Sequence, residues 1–144
     1  MAFSDPQRRF WHVDLTTRVG ALSAAKQGAT ACFIFAGLAV LGLALLGGMA
    51  GYGTTEGMAV MAGAAFESAV AIIAGLRLRS GKGAFWGMAA ALLCVLETIG
   101  KVLALSAGVV ITGVLLVAII QGVRGALALR NDKGFEDDEV AVFE

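Results

Sequence analysis

Five polar side chains stand inside long apolar runs, and they are the residues whose types and spacing could do chemistry: Glu67, Glu97, Lys101, Gln121 and Arg124. A carboxylate surrounded by hydrocarbon must take up a proton or find a cation, so each such group is a functional hypothesis from the outset. Glu67 lies about ten positions from either end of its run, roughly 15 Å along a helix. Its helical face carries Val60, Gly63, Ala64, Ala71 and Ala74, and small residues such as Gly63 and Ala71 let a second helix approach closely. Three roles fit Glu67: proton carrier, cation site, or partner in an interhelical hydrogen bond.

Glu97 and Lys101 are four apart with the acid nearer the N-terminus, the favourable order for a local ion pair. Lys101 is close enough to its helix end to extend its ammonium to the interface. Glu97 comes about 10 Å deep by the same arithmetic, which permits a second arrangement in which Glu67 and Glu97 share one proton. The local pair is the simpler of the two. Gln121 and Arg124 share a face with Gly113, Val117 and Ala128. Arg124 can extend to lipid phosphate or fold inward toward Glu67 beside Gln121, and the nearby helix end favours the first.

Other chemistry finds no residues to carry it. His12 is the one histidine, and Cys32 and Cys94 both sit in apolar runs without metal-ligand spacing, so no metal and no cofactor are expected. No nucleophile and base can be paired within the apolar runs, which argues against an enzyme. The glycines lack a phosphate-loop context; Gly47 and Gly51 instead have the spacing of a small-xxx-small packing surface.

The elements that must position these residues follow from composition. Of 144 residues, 58% are hydrophobic and 15% charged, with a mean hydropathy of +0.83. A soluble surface uses about 25% charged residues, so this chain is predicted to lie in a membrane. Eleven basic against eleven acidic residues leave no net field for nucleic acid. Four continuous runs reach the roughly 20 residues needed to cross about 30 Å of hydrocarbon: 29–49, 57–76, 84–103 and 108–129. Their continuity excludes alternating membrane strands. The expected fold is all-α, an integral membrane four-helix bundle of antiparallel up-down hairpins joined by short connections.

Residues 1–28 read as an N-terminal segment on the cytoplasmic side or at the interface. Asp5 and Pro6 form a helix start, and Trp11, Leu15, Val19 and Leu22 recur at helical spacing, as in an interfacial amphipathic helix that Gly20 could interrupt. The first run is too long for a signal-peptide core and is expected to be retained. Residues 130–144 form an acidic tail containing Glu136, Asp137, Asp138, Glu139 and Glu144. A shift of 51 residues aligns Leu76, Leu78, Arg79, Lys82 and Gly83 with Leu127, Leu129, Arg130, Lys133 and Gly134, which reads either as a duplicated hairpin or as repeated use of basic residues at helix exits.

Basic residues accumulate before the first run (Arg8, Arg9, Arg18, Lys26), between the second and third (Arg77, Arg79, Lys82), and after the fourth (Arg130, Lys133), whereas the other two connections have none. Both termini are therefore expected in the cytoplasm of a bacterial inner membrane. The expected function is that of a non-catalytic oligomeric or accessory subunit in contact with the bilayer, assembled as a homo-oligomer or in a larger complex. The alternative is a small proton- or cation-coupled transporter using Glu67. Orientation is checked with single cysteines at Thr54 and Lys133 in a variant lacking Cys32 and Cys94. An impermeant thiol reagent added outside should label position 54 and spare position 133; the opposite pattern would overturn the assignment.

Overall fold

The computed structural model describes residues 15, 17–51, 53–106 and 108–131, with the side chains of 46–50 left aside. Four helices follow in order: α1 (Arg18–Ala50), α2 (Thr55–Arg79), α3 (Ala84–Leu103) and α4 (Val109–Arg130). Each is long and apolar enough to cross a membrane, and the chain is a small four-span integral membrane protein. Helix is the form that satisfies every backbone polar group within one segment of a spanning chain. Thr17 starts α1 by accepting a hydrogen bond from the Gly20 amide, and Thr54 does the same for α2 through Gly57. Gly51 stops α1 and Gly81 turns the chain between α2 and α3, both at positive φ, where glycine carries no steric penalty.

The helices form an antiparallel up-down bundle in which α1 packs on α2 and α4, α3 packs on the same two, and the α1–α3 and α2–α4 pairs are diagonals. At 1.5 Å per residue, α3 and α4 measure about 30 and 33 Å and match the hydrocarbon thickness, whereas α1 and α2 measure about 50 and 38 Å. Gly28 lies against Gly122, and Gly75 lies against the Ala29 carbonyl. By that register α1 and α4 run roughly 10 Å past α2 and α3 at the basic end, and α1 and α2 run roughly 10 Å past α3 and α4 at the opposite end.

Small residues make the core. On α1 the buried stripe is Ala21, Ala24, Ala25, Gly28, Ala29, Cys32, Phe35 and Ala36; on α4 it includes Ile119, Gly122, Val123, Gly125 and Ala126. A Cβ added to Gly28 would stand 2.5 Å from the Gly122 Cα, so the two backbones touch. Gly75 makes room for the Phe33 ring, and Gly87 for Val123 and Leu78. Burial is uneven along the bundle axis. It covers Ala21–Ala36, Ser68–Leu78, Ala84–Cys94 and Thr112–Ala126, but no residue of 37–45, 58–66, 95–103 or 109–111 is buried. Burial is concentrated toward the basic end, and side chains toward the other end are half-buried or exposed.

Several expectations change. The boundary expected at residue 28 is absent, because α1 runs unbroken from Arg18 and buries Ala21, Ala24 and Ala25 against α4. Gly20 sits inside that helix and does not interrupt it. The proposed interfacial helix through Trp11 falls largely outside the described residues, and its part from Arg18 onward belongs to α1. Gly51 caps α1 at φ 77° with its carbonyl close against Gly57 of α2, and Gly47 lies in the stretch whose packing is not described. Gly63 faces outward with open space where a Cβ would stand, while Ala71 is fully buried. The acidic tail beyond Asn131 lies outside the described residues.

The close crossing makes a quantitative expectation. Gly28→Ala should lower stability in detergent by about 1–3 kcal/mol through overpacking. Gly37→Ala, with nothing within 4 Å of the added methyl, should be neutral or stabilise by up to about 1 kcal/mol. Equal denaturation midpoints for the two variants would show that the Gly28–Gly122 contact does not limit packing.

Candidate functional site

The polar residues of α2 and α3 continue the buried stripes of their helices. On α3 the inward positions run Gly87, Ala90 and Cys94, and the same spacing carried one and two turns further reaches Glu97 and Lys101. On α2 the stripe Leu78, Ala74, Ala71 and Ser68 reaches the half-buried Glu67 and Ala64. Leu78 contacts the space beside Gly87. Glu67 lies eleven residues before Leu78 and Thr98 eleven after Gly87, so antiparallel register brings Glu67 level with the Glu97–Thr98 step. Glu67 is thus shallower than its place in the sequence suggests: measured along α3, it stands about 8 Å from the end of the helix at Leu103. The extra turns of α2 beyond that level account for the difference.

Glu97 and Lys101 form the local ion pair that their spacing predicts, Nζ to Oε1 at 2.5 Å, with both side chains partly buried. Both charges also lie within electrostatic reach of Glu67. The cluster therefore sets two carboxylates against one ammonium. Lys101 satisfies one oxygen of Glu97, whereas Glu97 Oε2 is buried and has no hydrogen-bond partner among the described residues. Ser68 Oγ is in the same condition. Neighbouring hydroxyls are engaged elsewhere: Thr98 Oγ1 donates to the Cys94 carbonyl at 2.6 Å, and Thr112 Oγ1 donates to the Gly108 and Val109 carbonyls at 3.1 Å. Such bonds to the preceding turn keep threonine hydroxyls away from other partners. Cys94 Sγ lies 3.5 Å from the Thr112 carbonyl, linking α3 to α4 just beneath the carboxylates.

Arg124 and Gln121 do not join this cluster. Thr112 on α4 is level with Cys94, and Arg124 is twelve residues further along, about 18 Å toward the basic end. That span exceeds the reach of an arginine side chain, and α4 is diagonal to α2. The inward route to Glu67 is therefore closed. Arg124 is instead exposed near its helix end. Gln121 faces α1, where it lines a cleft of about 290 Å³ together with Gln27, Thr30 and apolar residues including Ile34 and Leu115. Sequence assigns neither Gln27 nor Thr30 to a site: Gln27 precedes the first expected span at 29–49, and Thr30 within it is one of the hydroxyl residues common in membrane helices. Ser68 was overlooked because a serine within an apolar run is common in membrane helices; only its burial beside Glu67 distinguishes it.

Cys32 and Cys94 are free and buried in the core. Among the described residues no three His, Cys, Asp or Glu side chains stand close enough together to hold a metal ion. Comparison with family models, curated proteins and solved structures finds no match to this chain. Function is therefore argued from the geometry of the bundle alone.

Proposed function

We propose that the protein is a non-catalytic subunit of a bacterial inner membrane, with its basic helix ends in the cytoplasm, that assembles with copies of itself or packs as an accessory bundle on a larger complex. The observation that carries this reading is the uneven core. None of the residues 37–45, 58–66, 95–103 and 109–111 is fully buried, and the exposed face of α2 there presents Ala59, Ala62 and Gly63. Small residues allow backbones to approach, and membrane helices associate through such contact because lipid offers no hydrophobic drive. A second chain set against that face would complete the packing that the single bundle leaves open. Glu67, half-buried at the same level, would then find its hydrogen-bond partner across the interface.

A second reading is favoured by the placement of Glu67 beside Glu97 and Lys101. Two carboxylates with one ammonium leave one negative charge to be balanced by a proton or a small cation. The cluster lies where the buried stripes end, with Glu67, Glu97 and Lys101 each half-buried. This is the arrangement a small proton- or cation-coupled transporter would need.

One preparation tests both. Protein extracted in mild detergent should be larger than one 14.7 kDa chain, with or without other subunits. Gly63→Leu should dissociate it, whereas Gly113→Leu on α4 should not. A monomeric wild type, or a Gly63→Leu variant that assembles normally, removes this face from the interface. Glu67→Gln preserves size and hydrogen bonding but removes the charge, so assembly should survive it. In sealed vesicles, wild-type flux driven by a pH gradient and abolished by Glu67→Gln would replace the subunit reading with the transporter.

A further inference from the structure

At the basic end of the bundle, the connection between α2 and α3 and the last turn of α4 enclose a cleft of about 410 Å³ lined by Gly81, Lys82, Ala84, Phe85, Ala126, Leu129 and Arg130. Its composition is divided. Ala84 and Ala126 are buried and form an apolar floor, and Leu129 closes one wall against Gly81, where an added Cβ would stand 3.2 Å from Leu129 Cδ1. Lys82 and Arg130 are exposed at the rim, and among the described residues no acidic side chain lines the cleft and neither cation makes a salt bridge. Phe85 is 72% exposed beside them, held edge-on to Trp86 at 5.9 Å between ring centroids.

These features have the depth and order of a bilayer edge. The helix ends place the two cations at headgroup level and the aromatic pair in the interfacial layer, where such rings concentrate. We propose that this cleft is a binding site for one anionic phospholipid, with the phosphate between Lys82 and Arg130 and an acyl chain running past Phe85 over Ala84 and Ala126. Two unpaired cations select net negative headgroups over zwitterionic ones, and basic pockets between helices at a membrane surface recognise anionic lipid in this way. The apolar floor extends beyond what a phosphate group alone would contact, which assigns the site to lipid and not to a soluble anion. The assignment depends on the bundle lying in a bilayer and is independent of whether the protein is a subunit or a transporter.

The test uses the full chain in detergent, titrated separately with phosphatidylglycerol, phosphatidylcholine and glycerol 3-phosphate, and read by native mass spectrometry and by the thermal midpoint. Phosphatidylglycerol should raise the midpoint and leave one retained lipid per chain; the other two should do neither. Each cation near an anionic surface contributes about 1 kcal/mol, so the double variant Lys82→Gln/Arg130→Gln should bind phosphatidylglycerol at least tenfold more weakly. The charge-preserving pair Lys82→Arg/Arg130→Lys should retain binding, which guards against loss through misfolding. Arg77→Gln/Arg79→Gln, which removes two cations from the same end outside the cleft, should bind nearly as wild type. Four results would overturn the site: equal binding of phosphatidylcholine, equal stabilisation by glycerol 3-phosphate, an equal loss in the Arg77/Arg79 variant, or lipid binding that appears only after residues 132–144 are deleted. The last would give the cleft to the acidic tail.

Discussion

The contact between Gly28 and Gly122 sets the distance on which the rest of the bundle depends. Inside a bilayer, burying a leucine against another helix gains little over burying it in lipid, so helices are held by close backbone approach and dispersion. With no side chain between them at this crossing, α1 and α4 meet over a long small-residue surface from Ala21 to Cys32 and from Ala118 to Ala126. Once α1 is fixed there, its other side presents Ala29 and Phe33 to α2, where Gly75 provides the matching gap. The α3 helix then closes the ring through Gly87, which takes Leu78 from one neighbour and Val123 from the other. Few large residues are needed inside; Phe35, Leu78 and Ile119 are the largest that are fully buried.

The same packing explains where burial ends. The helix–helix contacts made through Gly28, Gly75, Gly87, Gly122 and Gly125 lie in the half of the bundle nearer its basic end, and the buried stripes stop near Ala36, Ser68, Cys94 and Thr112. Beyond that level Gly37, Gly42, Gly63 and Gly100 have open space at their Cβ positions. Gly57 is the exception, buried against Gly51 where the α1–α2 connection closes. The outward glycines of the second half are what the subunit reading assigns to another chain.

Much of the fold was legible because each apolar run is continuous, free of internal charge pairs except Glu97 and Lys101, and bounded by turn residues. The α3 limits Ala84 and Leu103 coincide with those expected from hydropathy alone. The start of α1 was not legible by the same rule. Arg18, Ser23, Lys26 and Gln27 lower the hydropathy there, although Ala21, Ala24, Ala25 and Gly28 carry the small-residue spacing of a helix interface. Hydropathy measures contact with lipid, and this segment is buried against protein. The Glu97–Lys101 pair was readable from its i,i+4 spacing. The level of Glu67 was not, since depth counted within one helix ignores the stagger between α2 and α3. The separation of Arg124 from Glu67 likewise depends on which helices are diagonal, a property of the bundle and not of any single span.

Stagger also gives the carboxylates a physical reason for their level. One turn closer to the basic end, Glu97 would replace Cys94, fully buried against the α4 backbone, and Glu67 would enter the surface occupied by Ala71. Neither position has room for a charge and its partner, and an unpaired carboxylate there would bear the full cost of desolvation. One turn further out, no residue of α2 or α3 is buried, and a carboxylate there would face outside the bundle. At the observed level the small apolar stripes end, and Lys101 is paired with Glu97 while the second carboxylate oxygen lacks a partner within the described bundle. An added group at that oxygen, whether a proton, a cation or a donor from another chain, completes a cluster that the packing of this chain leaves one hydrogen bond short.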